Sequence, residues 1–159
     1  MHYTLIGMSG AGKSFVGKQL AAELGYEFFD VDTAMETLYQ KPLHIILQEL
    51  GDEHFLTKQA ALIMHTHFET PHIIATGGSV VYTDDAMQHL KGISKIIFID
   101  VPLAMIEARI DTAHRGIVGL ERKTFAELYA ERRPLYQQWA DITVGGETPL
   151  EAIITSLKA

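Results

Sequence analysis

The feature that most constrains this 159-residue chain is a glycine-rich octapeptide near its start, Gly7–Ser14 (GMSGAGKS). It fits the pattern G-x-x-x-x-G-K-[ST], in which backbone N–H groups surround a phosphate. The run Tyr3–Ile6 before it is apolar and typical of a strand. Val16, Leu20 and Leu24 after it are spaced as one face of a helix. A strand, a glycine loop and a helix in this order predict a phosphate-binding site.

Each part of the loop fits phosphate chemistry. Gly7, Gly10 and Gly12 can adopt positive φ, so backbone N–H groups can turn inward. The helix that begins near Lys13 adds free N–H groups and the positive end of its dipole. Lys13 can reach the β- and γ-phosphates, and the Ser14 hydroxyl is placed to bind Mg²⁺. A purely structural glycine turn between a strand and a helix would need neither Lys nor Ser here.

Composition argues against several other classes of protein. The net charge of −7 is unfavourable for a nucleic-acid or anionic-membrane surface, and no partner of either kind is expected. The absence of cysteine excludes disulfides and thiolate metal sites. The sequence shows no secretory signal region and no apolar stretch long enough to span a bilayer, so we expect a cytoplasmic protein. Its length predicts one domain over residues 1–159.

Apolar runs alternate with helical patterns along the rest of the chain. The predicted strands after the first cover residues 26–29, 71–76, 95–100 and 141–144. Strands that alternate with helices predict an α/β fold of three layers, in which helices flank a five-stranded parallel sheet with right-handed crossovers. The segment 111–121 lacks periodicity and contains Gly116 and Gly119, so we predict that it is a mobile lid.

Later motifs resemble those of the shikimate kinases, a family of P-loop kinases similar to the nucleoside-monophosphate kinases. The resemblance extends over nearly the whole chain and keeps the family's order of motifs. The matching segments are Phe29–Asp32 for F-x-D-x-D, Gly51–Phe55 for the start of G-E-x-x-F-R-x-x-E, Thr76–Gly78 for the G-G-G turn, Arg115 for the lid arginine and Glu131–Tyr136 for E-R-x-P-x-Y.

The resemblance implies an ATP- and Mg²⁺-dependent small-molecule kinase that acts as a monomer. Its first candidate reaction is the conversion of shikimate to shikimate 3-phosphate. The implied ATP-binding residues belong to the phosphate loop, the lid and the surroundings of the adenine: Gly10, Ala11, Gly12, Lys13, Ser14, Phe15, Arg109, Arg115 and Pro149.

Two carboxylates follow the second predicted strand, at the sheet edge where open α/β folds bind ligands. We interpret Asp30 as a Mg²⁺ ligand beside Ser14, because Mg²⁺ needs few protein ligands. Asp32 can orient the acceptor hydroxyl and take its proton. In the alternative interpretation, Asp30 only ends a strand while Asp32 and Thr33 cap the next helix. Asp100, after the fourth strand, is a weaker candidate for the metal.

The resemblance also implies an acceptor site formed by Asp32, Gly77, Gly78 and Arg132. The Gly78 N–H would contact the acceptor, and Arg132 would bind its carboxylate through two hydrogen bonds. Arg115 would stabilise the charge that develops on the γ-phosphate, so that Lys13, Asp32 and Arg115 are the catalytic residues. The alternatives are a plain turn at the glycines and surface ion pairs or exposed charges at the arginines.

Four positions depart from the family's pattern. Leu56 replaces an arginine, Gln59 an acid, Ser79 the third glycine of the G-G-G turn, and Gly116 the proline after the lid arginine. These departures affect the acceptor pocket or the lid and spare the nucleotide site. The acceptor therefore stays open between shikimate and another hydroxy acid or polyol. A nucleotide-binding regulatory protein without turnover is the remaining alternative.

Overall fold

The computed structural model describes residues 1–159 and contains a five-stranded parallel sheet flanked by helices, which confirms the predicted fold. The strands stand in the order β2-β3-β1-β4-β5. Their bounds are β1 His2–Ile6, β2 Glu27–Asp30, β3 His72–Ala75, β4 Ser94–Asp100 and β5 Ile142–Gly145. The helices are α1 Lys13–Leu24, α2 Val31–Tyr39, α3 Leu43–Leu50, α4 Asp52–His65, α5 Asp84–Ile93, α6 Leu103–Glu107, α7 Phe125–Trp139 and α8 Leu150–Lys158.

The hydrophobic core lies on both sides of the sheet, as β1 and β4, two of its three inner strands, show. Leu5 and Ile6 of β1 are fully buried, as are Ile96 and Ile97 of β4. Because successive side chains of a strand point to opposite faces, burial of neighbouring residues means that both faces of the sheet are covered. No helix of the chain is both long and apolar enough to cross a membrane.

The start of α2 differs from the expected one. Asp30 is the N-cap, and its Oδ1 accepts a hydrogen bond from the Thr33 N–H at 3.1 Å. Glu36 stands three residues after Thr33, which predicts a capping box, but none forms, because the Glu36 carboxylate accepts the Leu43 N–H at 3.0 Å. The interpretation that Asp32 and Thr33 cap this helix is therefore wrong. Asp32 lies in the first turn of α2 with its side chain free for another role.

The sequence predicts a helix over residues 123–138 that is interrupted near Pro134, whereas α7 is one continuous helix. A capping box fixes its start, with hydrogen bonds in both directions between Thr124 and Glu127. The expected interruption at Pro134 does not occur, and the helix continues to Trp139. Proline removes one backbone donor, but the capped start and the buried face of α7 keep the helix intact. Arg132 is thereby held on a rigid element.

A second, smaller apolar cluster joins α2, α3 and α4 to the segment before α7. It consists of Met35, Ile46, Phe55 and Val118, with Leu56 packed partly buried against it. The parallel sheet places the ends of β1, β2 and β3 at one edge. The phosphate loop, the acids after β2 and the glycines after β3 meet there, and the small cluster forms one wall beside them.

We predict opposite effects of one change, Gly→Ala, at two helical positions. A Cβ on Gly17 of α1 would lie 2.6 Å from Phe28 Cε2 and 3.1 Å from Leu5 Cδ1, whereas a Cβ on Gly92 of α5 would meet nothing within 4 Å. Gly17→Ala should cost about 1–3 kcal/mol of unfolding free energy through overpacking. Gly92→Ala should gain up to about 1 kcal/mol, because alanine favours helix. Urea denaturation of the two variants tests this, and equal effects would contradict the packing described for α1.

Candidate active site

A cavity of about 390 Å³ opens at the carboxyl edge of the sheet, between the phosphate loop, α4, the lid and α7. It brings together most of the residues that the sequence singled out. Those that line it are Gly10, Gly12, Lys13, Ser14, Phe15, Asp32, Gly77, Gly78, Arg109, Arg115 and Arg132. Ala11 is buried in the core, and Asp30 lies just behind Ser14. Pro149 precedes α8 and does not line the cavity, so its place beside an adenine stays a prediction.

The phosphate loop has the conformation that its glycines predict. Gly10 and Gly12 adopt φ of +85° and +92°, which residues with a Cβ avoid. The Lys13 ammonium is buried inside the loop and donates to the carbonyls of Gly7 and Met8 at 2.7 and 2.9 Å. Burial lowers the pKa of Lys13 to about 8, although the carboxylates of Asp32 and Asp30 oppose this shift. An added phosphate would favour the charged form.

Arg109 also lies at the phosphate loop. Its Nε donates to the Gly10 carbonyl at 3.0 Å, and its side chain lines the cavity. The sequence placed Arg109 beside an adenine by resemblance. The observed contact puts it next to the loop that would hold the phosphates, and its role toward the nucleotide stays a prediction.

Ser14 and Asp30 form the pair expected to hold a metal ion. The Ser14 hydroxyl donates to Asp30 Oδ2 at 2.5 Å. A hydroxyl and a carboxylate side by side, next to a phosphate loop, are the oxygen donors that Mg²⁺ accepts alongside water and phosphate oxygens. The weaker candidate, Asp100, is engaged elsewhere: Arg133 donates to its two oxygens at 3.0 and 2.6 Å. The residues therefore fit a metal beside Ser14.

Asp32 holds the least satisfied carboxylate of the site. Its Oδ1 is buried and has no hydrogen-bond partner. Burial, first, and the neighbouring Asp30 raise the pKa of Asp32 to about 6, although Lys13 opposes the shift. A carboxylate that lines a cavity and ionises near pH 6 is suited to accept a proton.

Arg132 is fully buried, yet no carboxylate lies within ion-pair distance of it. Its Nε donates to the Tyr82 hydroxyl at 3.1 Å, and its Nη2 donates to the Val118 carbonyl at 2.5 Å. Neutral oxygens compensate a buried cation only in part. Arg133 follows the surface-pair alternative in its contact with Asp100, whereas Arg132 does not. The cavity therefore holds a cation suited to an anionic ligand.

The segment predicted as a lid has an exposed part and an anchored part. Residues 111–115 are exposed, and Arg115 extends to the cavity from this part. Ile117 and Val118 are buried. The Gly119 N–H donates to Asp52 Oδ2 at 3.1 Å. We therefore expect mobility to be concentrated before residue 116.

Gly116 explains one departure from the family's pattern. Its φ is +63°, and a Cβ there would lie 2.8 Å from the backbone nitrogen of His44. Proline holds φ near about −65°, so this backbone excludes the proline that the family's pattern has after the lid arginine. The glycine lets the lid pack directly on the start of α3.

The other departures lie in two different places. Gln59 and Ser79 line the main cavity. Leu56 does not; it lines a smaller hollow with Tyr82 and Val118 and packs against the small apolar cluster. Six further residues line the cavity: Ser9, Leu43, Phe55, Thr76, Ile117 and Val118. All but Leu43 belong to motifs or to the lid segment named from the sequence, but the sequence did not single them out as site residues.

Comparison with known proteins gives one consistent family. The sequence pattern of the shikimate kinase family matches residues 9–158. A shikimate kinase of Thermobifida fusca is 32% identical over 152 residues, which is 93% of this chain and 88% of the relative.

Solved structures agree in fold. The crystal structure of shikimate kinase from Aquifex aeolicus superposes with a TM-score of 0.82 at 28% identity. The match covers 99% of this chain and 94% of the Aquifex chain. Shikimate kinase from Acinetobacter baumannii, solved in complex with shikimate, gives a TM-score of 0.85 at 24% identity over 99% and 89% of the two chains. At 24% identity, the similarity to the Acinetobacter structure shows only a shared fold.

We predict that bound nucleotide protects the trypsin site after Arg115, but not the one after Arg122, in the region before α7. Arg115 and Arg122 are both exposed, but only Arg115 lines the cavity. Mg²⁺ with a non-hydrolysable ATP analogue should slow cleavage after Arg115, because the guanidinium is drawn to the phosphates. Cleavage after Arg122 is the internal control. Mass spectrometry of the early fragments measures both rates, and equal protection at the two sites would contradict the assignment of the mobile part.

Proposed function

The chain belongs to the shikimate kinase family, and from this premise we propose that it transfers the γ-phosphoryl group of ATP to the 3-hydroxyl of shikimate. The observation that carries the proposal is the layout of the cavity. One end is a complete phosphate loop, and the other end holds an unpaired carboxylate oxygen of Asp32 and the buried cation of Arg132. A nucleoside triphosphate would fit the end with the phosphate loop, and a hydroxy acid would fit the end with Asp32 and Arg132.

At the nucleotide end, the loop N–H groups and Lys13 would hold the β- and γ-phosphates. The Lys13 ammonium donates hydrogen bonds to two carbonyls of the loop, and these contacts hold it inside the loop. Mg²⁺ held by Ser14 and Asp30 would neutralise charge on the phosphate oxygens. Arg115 would approach the transferred group from the exposed part of the lid and stabilise its developing charge.

At the acceptor end, the shikimate carboxylate would bind Arg132, which lacks any anionic partner within the chain. The acceptor hydroxyl would donate to the Asp32 carboxylate, which lines the cavity. As the hydroxyl oxygen forms its bond to the γ-phosphorus, the bond to the bridging oxygen of ADP breaks and Asp32 accepts the proton. Gly77 allows its backbone to pack against this carboxylate, because a Cβ there would lie 2.7 Å from Asp32 Oδ1.

A leucine at position 56 favours one of two outcomes: either the protein binds shikimate weakly, or its acceptor is a different molecule. Leu56 packs against the small apolar cluster, where the family's pattern has an arginine. One charged hydrogen bond is worth about 1.5–3 kcal/mol, which is roughly ten- to a hundredfold in affinity. We therefore expect an elevated KM for shikimate. A second candidate function is the phosphorylation of another small hydroxy acid with a single carboxylate for Arg132. The cytoplasmic location and the monomeric state stay predictions.

The proposed function is tested by measuring ADP release from MgATP with shikimate, and with a panel of small hydroxy acids and polyols. We expect shikimate-dependent ADP release and a product heavier than shikimate by one phosphoryl group. Lys13→Ala is the matched control, since it removes the phosphate-binding charge and leaves the acceptor end intact. Release that is absent with shikimate and present with another acceptor would favour the second candidate. Release that is absent with every acceptor would support a binding protein without turnover.

We predict that kcat/KM falls as the pH drops through about 6. The pKa of Asp32 is raised to about 6 by burial, and only the ionised carboxylate can accept the acceptor's proton. Activity should thus be lost on the acidic side and kept on the neutral side. In Asp32→Asn the rate should fall by about 100-fold or more, and the residual rate should lack this inflection. An unchanged pH profile in the variant would show that another group accepts the proton.

A further inference from the structure

Tyr82 contacts the Arg132 guanidinium in two ways. Its hydroxyl accepts a hydrogen bond from Arg132 Nε at 3.1 Å, and the guanidinium lies over its ring, with 5.0 Å between Arg132 Cζ and the ring centroid. A cation within about 6 Å of the face of a tyrosine ring is attracted by the electrons of the ring. Tyr82 ends the short 3₁₀ turn Val80–Tyr82, so these contacts join the chain after β3 to α7.

The two hydrogen bonds of the Tyr82 hydroxyl have a fixed direction. The Nε of an arginine can only donate, so the phenol oxygen is the acceptor in its bond with Arg132. The phenol proton is left for the Glu131 carboxylate, and Tyr82 donates it to Glu131 Oε2 at 2.9 Å. Burial raises the pKa of Tyr82 above its ordinary value, although Arg132 opposes this shift, so the hydroxyl keeps its proton at neutral pH.

The Glu131 carboxylate is held from its other side as well. Lys123 Nζ donates to Glu131 Oε1 at 2.9 Å, and Glu131 forms its ion pair with Lys123 and not with Arg132. A continuous chain of hydrogen bonds thus links the exposed Lys123 to the buried Arg132. Because the hydrogen bonds of such a chain polarise one another, a phenol that donates to a carboxylate is a stronger acceptor for the guanidinium.

These contacts orient the Arg132 guanidinium without neutralising it. Nε donates to Tyr82 and Nη2 donates to the Val118 carbonyl. Two hydrogen bonds at different nitrogens of one planar group fix its orientation, and both partners are neutral oxygens. The guanidinium therefore keeps its positive charge for a ligand of the cavity that it lines. A side chain that is oriented before binding loses little conformational freedom when the ligand arrives.

We propose that Tyr82 is a positioning residue, which holds Arg132 in the orientation that binds the carboxylate of the acceptor. The inference rests on the proposed function, because it takes Arg132 as the residue that binds this carboxylate. Tyr82 itself does not line the main cavity, and it needs no contact with the acceptor. Its effect should therefore appear in the binding of an anionic acceptor, and neither in nucleotide binding nor in the transfer step.

The leucine at position 56 makes the orientation of Arg132 more important. Leu56 and Tyr82 line the same smaller hollow, outside the main cavity, whereas the family's pattern has an arginine at position 56. With no second cation from this position, the carboxylate of an acceptor depends mainly on Arg132. A loss of its orientation should therefore not be compensated by a neighbouring charge.

The test compares wild type and Tyr82→Phe in steady-state kinetics with shikimate and with its methyl ester, which lacks the carboxylate charge. Tyr82→Phe keeps the ring beside the guanidinium and removes only the hydroxyl. It should raise the KM for shikimate about fivefold or more, because a hydrogen bond to a charged group is lost. The kcat should stay within about twofold of wild type, as should the KM for the ester, since no anion is bound there.

Tyr129→Phe is the matched control, because Tyr129 lies on the same helix as Arg132 and also uses its hydroxyl in a hydrogen bond. That hydroxyl donates to the Val101 carbonyl at 2.9 Å, and Tyr129 does not line the cavity, so the KM values should equal those of wild type. Tyr82→Leu removes the ring as well and should raise the KM for shikimate further. If this variant does not fold, Tyr82→Phe decides alone. MgADP should raise the melting temperature equally in all variants.

Three outcomes contradict the inference in different ways. A KM for shikimate in Tyr82→Phe within about twofold of wild type overturns it and leaves the proposed function in place. An equal rise in KM for shikimate and for the ester also overturns it, because Tyr82 would then have only a structural role. A wild type that releases no ADP with shikimate overturns both the proposed function and the inference.

Discussion

The whole site depends on the close approach of two loops at the carboxyl edge of the sheet. A Cβ on Gly78 would lie 2.8 Å from Ser9 Oγ and 3.0 Å from the Ser9 backbone nitrogen, so only glycine lets the loop after β3 touch the phosphate loop. The strand order places β3 beside β1 and makes this contact possible. It sets the distance between the phosphates and the acceptor. Phosphoryl transfer relies mainly on positioning and electrostatics, so this spacing is the fold's main contribution to the chemistry.

Arg132 links the acceptor pocket to the lid. The guanidinium is fully buried, and it spends one donor on the Val118 carbonyl of the lid and another on Tyr82. A carboxylate that binds Arg132 therefore adds the charge that these neutral partners lack, without requiring the lid contact to break. Tyr136 stabilises the loop after β3 beside Arg132, because its hydroxyl donates to the Gly78 carbonyl at 2.5 Å. One side chain thus contacts both the cavity and the anchored part of the lid.

The sequence predicted those parts of the site that depend on local geometry. The phosphate loop is encoded within eight consecutive residues, and the alternation of strands and helices predicted the parallel sheet. The cap of α2 was misassigned, because Asp30 and Asp32 can both cap a helix and only the backbone path decides between them. Phe55 and Val118 could not be placed in the cavity wall, since they reach it through packing between distant segments. The sequence also could not predict the partner of Arg133, because only the fold brings Asp100, at the end of β4, next to α7.

The lid shows how a departure in sequence can alter a mechanism without altering the fold. In the family's pattern a proline follows the lid arginine, and its fixed φ would stiffen the chain at that point. Here Gly116 takes φ of +63° and packs against the backbone of α3. Val118 and Gly119 are then held by Arg132 and Asp52. Because these contacts anchor the chain immediately after Gly116, Arg115 stands at the boundary between fixed and exposed backbone. If Arg115 has the proposed role, its approach to a γ-phosphate would require rotation of only the few residues before Gly116, and the packed wall of the acceptor pocket would stay in place.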